Sequence, residues 1–389
     1  MAESYTGFLR TKGHDIVDED GKKFYPIGFG VGGAIYPEGY MWQMFGGPVN
    51  EQKTCEGPSY MYAKLVELAG EEAAKNFWDA YRANWCSETD IASFAEWGAN
   101  HIRLPLTYKT FMTPEGEWIE EGFAEIQKFV DWCKKYGLYV ILDLHAAPGG
   151  QNPWHFCDAL GEALLWTQPE QYWPLTITVW KEIARRYKDE PFVLGYDLLN
   201  EPLLPGGHGI NELWEIQELI TKAIREIDQN HIVFIEGDVY ATIFRNVSVF
   251  DSNMAFSYHL YRYNGPNVTK ADIQPYLDLR NRTNCPLWNG ETGDHHAGWW
   301  NNDLELHKQF NIGIAMWTHK KIVTSNQPYV VELAAGFDKV IAFETGRGSK
   351  IDSKLAEDAM MRQAEAMKSE NCLFQPLFLK GFGWIEKKN

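Results

Sequence analysis

Eight short apolar runs, each followed by an amphipathic stretch, set the tightest limit on what this chain can fold into. The runs are YPIGFGVG (25–32), HIRLPL (101–106), LYVILDLH (138–145), VLGYDLLNE (193–201), IVFIEG (232–237), MAFSYHLY (254–261), PLWNGE (286–291) and IGIAMWTH (312–319). Near-continuous apolar runs of this length suit strands covered on both faces, as in a parallel sheet. The stretches between them carry helical periodicity. In SETDIASFAEWG, Ser87 and Asp90 stand three apart as a capping box, and Gly98 ends the run. FAEIQKFVDWCKKYG (123–137) places Phe123, Ile126, Phe129, Val130 and Cys133 on one side and stops at Gly137. PLTITVWKEIARRYKD, NELWEIQELITKAIREIDQN and KADIQPYLDLRNR follow the same logic, and LAEDAMMRQAEAMK (355–368) supplies the last helix. The segment after the fifth run, 240–250, is the weakest. Strand then helix, eight times, predicts an α/β fold of the (β/α)8 TIM-barrel kind. A doubly wound sheet is the competing topology, but it rarely needs eight strands, and no GxGxxG follows the first run.

No Pro/Ser-rich linker interrupts the series, so one domain spanning 1–389 is expected. A long insertion after the first strand, about 33–85, holds its own helix pattern (SYMYAKLVELAGEEAAKNFWDAY) and is placed to shape an active-site rim. The net charge of −17 makes nucleic acid and anionic membrane poor partners. No run of 18 apolar residues exists to span a bilayer. The opening MAESYTGFLRTKGHD has no apolar signal region, which fits a cytoplasmic protein or a secreted one whose leader is gone. Cys55, Cys86, Cys133, Cys157, Cys285 and Cys372 lie far apart without a zinc-ligand spacing, so scattered thiols and no metal are expected. The 16 Trp exceed what packing alone needs and suit stacking against flat ligand faces.

The fourth run ends in a way that asks for a reason. VLGYDLLNEP carries an apolar strand straight into Asn200, Glu201 and Pro202, and a carboxylate at the end of a buried strand loses hydration. In a (β/α)8 barrel such ends form the mouth where function sits. Strand two carries Arg103, strand three ends on His145, strand four on Asn200 and Glu201, strand six on His259 and Tyr261, strand seven on Glu291, and strand eight holds Trp317. Two carboxylates, two imidazoles, a guanidinium, an amide, a phenol and an indole on one rim make a reaction site rather than a set of turns. The chemistry most in need of two Glu is glycosidic bond cleavage, where one acid protonates the departing oxygen and one carboxylate attacks the anomeric carbon or activates water.

The motifs HIRLPL, LDLHAAPGGQN, GYDLLNEP, YHLY, WNGETG and MWTHKK stand in the order found in glycoside hydrolase family 5, the former cellulase family A. From about residue 20 to 370 the chain resembles that family, whose clan places its catalytic Glu residues on strands four and seven. The resemblance implies Glu201 as general acid/base and Glu291 as nucleophile, in a retaining hydrolase without a cofactor. It further implies that Asn200 bonds the sugar 2-hydroxyl, that Arg103 and Tyr261 hold the nucleophile, and that His259 contacts the acid/base. His145 would line the site of the cleaved sugar, and Trp317 would form the platform beneath it. Thr292 departs from the pattern, since the family more often has Phe or Ser there.

The expected partner is a β-linked glucan or oligosaccharide, acted on by a monomer. Endo-β-1,4-glucanase activity is favoured, because Trp42, Trp154, Trp166, Trp299 and Trp300 are candidate platforms spread over several loops, as a row of subsites needs. Exo-β-1,3-glucanase or β-glucosidase-like action stays open: LHAAPGGQN resembles both the exo-β-1,3-glucanases and a broad bacterial cellulase-like group. Two other classes compete. A non-catalytic sugar-binding barrel would have lost a carboxylate, and both Glu are present. A metal hydrolase would use Asp294, His295 and His296, but adjacent His side chains point to different sides.

Overall fold

The computed structural model describes residues 5–44, 57–159, 161–263 and 265–383. Its centre is a closed barrel of eight parallel strands, in which sequence neighbours pair and the last strand closes on the first. The strands are β1 (Ile27–Gly30), β2 (His101–Thr107), β3 (Tyr139–Ala146), β4 (Val193–Asp197), β5 (Ile232–Glu236), β6 (Met254–His259), β7 (Leu287–Gly293) and β8 (Gly313–Trp317). All eight apolar runs are strands. Every residue of these strands is buried, because side chains fill the barrel interior on one face and meet the helical ring on the other. The two-sided burial is why the runs read as continuous rather than alternating.

The helical ring contains α1 (Pro58–Ala69), α2 (Glu71–Trp85), α3 (Glu88–Trp97), α4 (Glu120–Tyr136), α5 (Pro169–Tyr187), α6 (Ile210–Arg225), α7 (Lys270–Thr283), α8 (Ala297–Gln309), α9 (Phe337–Glu344) and α10 (Ser353–Ala366). The capping box of Ser87 and Asp90 opens α3. Gly98 ends it at φ 99°, where an added Cβ would lie 2.7 Å from the Phe382 carbonyl oxygen. The helix pattern of the insertion divides at Gly70 (φ 91°) into α1 and α2. The weak segment after β5 forms only a short turn, Asp238–Ala241, in which Val239, Tyr240 and Ala241 all have positive φ.

Two small sheets have no counterpart in the periodicity. A three-stranded antiparallel sheet, Arg10–Lys12, Asp15–Val17 and Lys23–Phe24, carries Ile16 and Phe24 to the barrel's lower end. There they pack in one cluster with Leu9, Ile141, Leu194, Ile232, Phe234 and Trp288. A second small sheet joins Lys320–Ile322, Tyr329–Val331 and Leu373–Phe374. Strands of two or three residues are too short to show a period. Cys86, Cys133, Cys157, Cys285 and Cys372 are free thiols, while Cys55 lies outside the described residues. No described helix is long and apolar enough to cross a membrane.

Candidate active site

The upper ends of the strands deliver all eight expected side chains to one place. Glu38, Tyr40, His145, Asn200, Glu201, Tyr261, Glu291 and Trp317 line one pocket of about 270 Å³ at the barrel mouth, with His155, Phe156, Tyr263 and Asp294 completing its wall. Arg103 and His259 lie beneath it, fully enclosed.

Arg103 organises the floor. Its guanidinium donates to Asp197 Oδ2 (2.9 Å), Asn200 Oδ1 (2.7 Å), Glu236 Oε1 (3.1 Å) and Glu291 Oε1, and Asp143 Oδ2 lies 3.1 Å away. A planar fork with five N–H donors is the one side chain able to serve so many acceptors at fixed angles. Tyr261 OH donates to the other Glu291 oxygen at 2.9 Å. Burial lifts the Glu291 carboxyl to about 7; His259 and Arg103 pull it down, and the charge of Glu201 pushes it up again.

Glu201 does not stand in its strand. β4 ends at Asp197, and the chain reaches Glu201 through two apolar residues and Asn200, with Glu201 at φ 47°. Three groups hold that conformation. Its N–H donates to Glu236 Oε2 (2.6 Å), its carbonyl accepts from Asn152 Nδ2 (2.9 Å), and Gln151 Nε2 donates to both the Asn200 and His145 carbonyls (2.7 and 2.8 Å). The Glu201 carboxylate meets His259 Nδ1 at 2.7 Å. His259 also has Glu236 Oε1 3.2 Å from Nε2 and Glu291 Oε2 3.7 Å from Nδ1. Burial alone would discharge this imidazole, but these carboxylates hold it protonated well above the usual histidine range.

The opposite wall is aromatic and charged. His145 stacks on Trp317 at 5.4 Å and 8°, and Trp317 Nε1 donates to Tyr40 OH at 2.6 Å. Burial opposes a charge on His145. Asp143, 2.8 Å from Nδ1, outweighs it with help from Glu38, 3.7 Å from Nε2, and raises the imidazole to about 10. Burial likewise opposes ionisation of Glu38, yet His145 and His155 bring its carboxyl down to about 2. Glu236 and Glu38 are among the site residues that the sequence analysis does not single out. Glu236 ends the run IVFIE as Glu201 ends its own, so the strand-end rule could have found it. Glu38 sits in the insertion, where no period marks it.

Other expectations resolve differently. Four of the five candidate platforms are interior packing: Trp42 lies among Phe77, Trp78, Tyr81 and Trp85, and Trp166, Trp299 and Trp300 are equally enclosed. Burying an indole removes a large apolar area from water, which is why loop Trp residues so often face inward. Only Trp154 is exposed at the rim, 37% accessible, with its Nε1 donating to Tyr240 OH at 2.9 Å. Thr292 turns away from the pocket, within reach of the Leu260 carbonyl (2.7 Å) and Asp303 Oδ2 (2.9 Å). Among the described residues Asp294, His295 and His296 do not converge as a ligand set, although the two imidazole rings meet edge to face at 4.6 Å. Asp294 pairs with Lys321, His295 stacks on Trp299 and reaches the Gly265 carbonyl, and His296 caps α8 through the Trp299 N–H. Among the described residues, the ligating atoms of Glu201, His259 and Glu291 lie within 4.8 Å of one another. A protonated His259 has no lone pair to offer a cation.

The model of the family described as Cellulase (glycosyl hydrolase family 5) matches residues 65–324. A Beta-xylosidase of Phanerodontia chrysosporium is 31% identical over 310 residues, which is 75% of this chain and 62% of that protein, so the chain spans less than two thirds of that relative. Endoglucanase C of Acetivibrio thermocellus is 26% identical over 298 residues, covering 61% of this chain and 84% of that one. A solved beta-glucanase of Saccharophagus degradans in complex with cellotetraose superposes with a TM-score of 0.56 at 18% identity, over 95% of this chain and 98% of that one, a likeness of fold.

Proposed function

The chain belongs to glycosyl hydrolase family 5 and is a glycoside hydrolase, and from that premise we propose that it cleaves β-glycosidic bonds with retention, using Glu201 as acid/base and Glu291 as nucleophile. One observation carries the stereochemical part. Carboxylate oxygens of Glu201 and Glu291 lie within 4.8 Å of each other. Retaining pairs stand roughly 5–5.5 Å apart, whereas inverting pairs need about 6.5–9.5 Å to admit a water between them.

Two carboxyls this close titrate as a unit. Burial raises the Glu291 carboxyl, but donors from Arg103 and Tyr261 meet both of its oxygens and reward the ionised form that attacks. Glu201 then protonates the glycosidic oxygen while Glu291 attacks the anomeric carbon. The resulting glycosyl ester is opened by a water that Glu201, now ionised, deprotonates. Asn200, fixed through its Oδ1 by Arg103, has its amide N–H to offer the sugar 2-hydroxyl, whose position it would fix.

Short substrates cut at a chain end suit the pocket best. A pocket of about 270 Å³, walled by Glu38, His155, Phe156 and Tyr263, is small for a row of sugar subsites. The sugar would lie on Trp317, with ionised Glu38 accepting its hydroxyls and Trp154 and Tyr240 meeting the departing part beside Glu201. Internal cleavage of β-1,4-glucan is the second reading, favoured by the likeness to Endoglucanase C, but four of the five Trp that argued for a row of subsites are buried. Incubation with aryl β-glucoside, aryl β-xyloside, cello-oligosaccharides and carboxymethyl cellulose separates the two. Release of monosaccharide from chain ends with viscosity unchanged supports the first. A rapid viscosity drop with mixed oligosaccharides overturns it.

A further inference from the structure

Glu236 touches no substrate space, yet it contacts the main chain of one proposed catalytic residue and the side chain that orients it. We propose that Glu236 is a positioning residue that aims the Glu201 carboxyl at the leaving-group oxygen, through the Glu201 N–H on one side and His259 on the other. The inference rests on the reading of Glu201 as acid/base.

Glu236 is the last residue of β5 and has no solvent exposure. Its own backbone is pinned from α6: its N–H donates to Gln217 Oε1 (3.2 Å), and its carbonyl accepts from Gln217 Nε2 (2.9 Å). The carboxylate therefore projects from a fixed point. Oε2 accepts the Glu201 N–H at 2.6 Å, while Oε1 lies 3.1 Å from Arg103 Nη2 and 3.2 Å from His259 Nε2. Glu201 sits in the left-handed region, which is strained for a non-glycine residue and persists only where neighbours over-determine it. A charged acceptor on its N–H is the strong kind of hydrogen bond that does so.

The second route runs through the ring. His259 is faced by Glu201, Glu236 and Glu291 at contact distance, with the guanidinium of Arg103 on Glu236 and Glu291 and the carboxyl of Asp197 behind it. Glu236 Oε1 lies 3.2 Å from Nε2 as an ion pair without hydrogen-bond alignment, so its charge favours the doubly protonated ring, whose Nδ1 proton points at Glu201 Oε1. That leaves Oε2 of Glu201 as the oxygen free to carry the acid proton. Without the charge of Glu236, the ring falls back to a neutral tautomer, and the carboxyl of Glu201 loses its fixed donor.

The discriminating experiment measures kcat/KM of Glu236→Gln across aryl and alkyl β-glycosides of decreasing leaving-group acidity. This parameter reports glycosidic bond cleavage. Gln keeps the volume and offers an oxygen to the Glu201 N–H. A dinitrophenyl glycoside departs without a proton, so the variant should stay within about threefold of wild type on it. On alkyl glycosides, which need the acid, it should fall by roughly 30- to 100-fold, a good part of what acid catalysis supplies. Nitrogen-15 NMR should show His259 doubly protonated at pH 7 in the wild type and singly protonated in the variant. If Glu236→Gln fails to fold by thermal melting, Glu236→Asp, which withdraws the carboxylate by one methylene, should show the same selectivity more weakly. An equal loss on every substrate, or no loss, overturns the inference. Glu201→Ala in the same series keeps the two claims apart. If it is unselective, the acid/base reading fails; if it is selective while Glu236→Gln is not, only the positioning role fails.

Discussion

Replacing Arg103 by Met removes the one cation that meets four buried carboxylates. Its guanidinium lies within 3.1 Å of Asp143, Asp197, Glu236 and Glu291, and the side chain has no exposure. Stripping one partner from a buried ion pair costs about 3–5 kcal/mol. Four pairs do not quadruple that figure, because three of the acids keep a second donor. Asp143 retains His145 Nδ1 at 2.8 Å, Glu236 the Glu201 N–H at 2.6 Å, and Glu291 the Tyr261 hydroxyl at 2.9 Å. Asp197 alone is stranded, and its Oδ1 already lacks a partner. Burial and then the charge of Glu236 hold its carboxyl well above the usual carboxylate range, so it takes up a proton rather than remaining an unpaired charge. The expected loss is therefore about 3–5 kcal/mol in all. With an unfolding entropy near 2.1 cal/mol/K per residue, 389 residues convert this to a fall in Tm of roughly 4–6 °C. Scanning calorimetry at pH 7 measures it directly. An unchanged Tm would refute the counterion role, and a fall beyond about 15 °C would refute the claim that Asp197 relieves the loss by taking up a proton.

Glu291→Gln should lower turnover of an aryl β-glycoside by at least about a thousandfold while leaving sugar binding in place, as read by calorimetric titration with a cello-oligosaccharide. Trp166→Ala should cost about 3–5 kcal/mol in urea unfolding, because a fully enclosed ring is lost. Trp154→Ala should leave stability within about 0.5 kcal/mol and raise KM for oligosaccharides. The pH dependence of stability follows from His145 and Glu38. Burial opposes a charge on His145, but Asp143 and Glu38 raise it from 6.5 to about 10, so its contribution is complete below pH 6.5 and fades as pH rises through 10. Glu38, brought from 4.5 to about 2 against its burial, contributes fully above pH 4.5 and fades as pH falls through 2. His145→Gln should flatten the alkaline side of the urea-midpoint profile, and an unaltered slope there would contradict the assignment.

The barrel was legible because each strand is covered on both faces, which forces a continuous apolar run that a reader can count. The strand-end rule then located His145, Asn200, Glu201, His259, Tyr261, Glu291 and Trp317, since a polar group closing such a run has lost hydration and needs a partner; Arg103, the third residue of β2, is a charge inside its run, where the same need is stronger still. Side-chain direction was not legible in the loops. Trp42 and Trp154 read alike in sequence, yet one packs against Trp85 and the other meets Tyr240 at the rim. Burial there depends on which distant helix lies opposite, and no local pattern encodes it. Glu38 was hidden for the same reason: its partners His145 and His155 are more than a hundred residues away. The bottom sheet with Ile16 and Phe24 was missed because its strands are too short for a period to register.

A covalent glycosyl–Glu291 intermediate is the central claim, and trapping it tests that claim most directly. The protein would be incubated with a 2-deoxy-2-fluoro β-glycoside bearing a dinitrophenyl leaving group, digested, and the labelled peptide sequenced by mass spectrometry. The fluorine slows both steps by destabilising the oxocarbenium-like transition state, and the activated leaving group restores only the first, so the ester accumulates. The account predicts one sugar added per chain, carried by Glu291 in the peptide containing WNGETG. A label on Glu201, or time-dependent loss of activity without any covalent adduct, would contradict it.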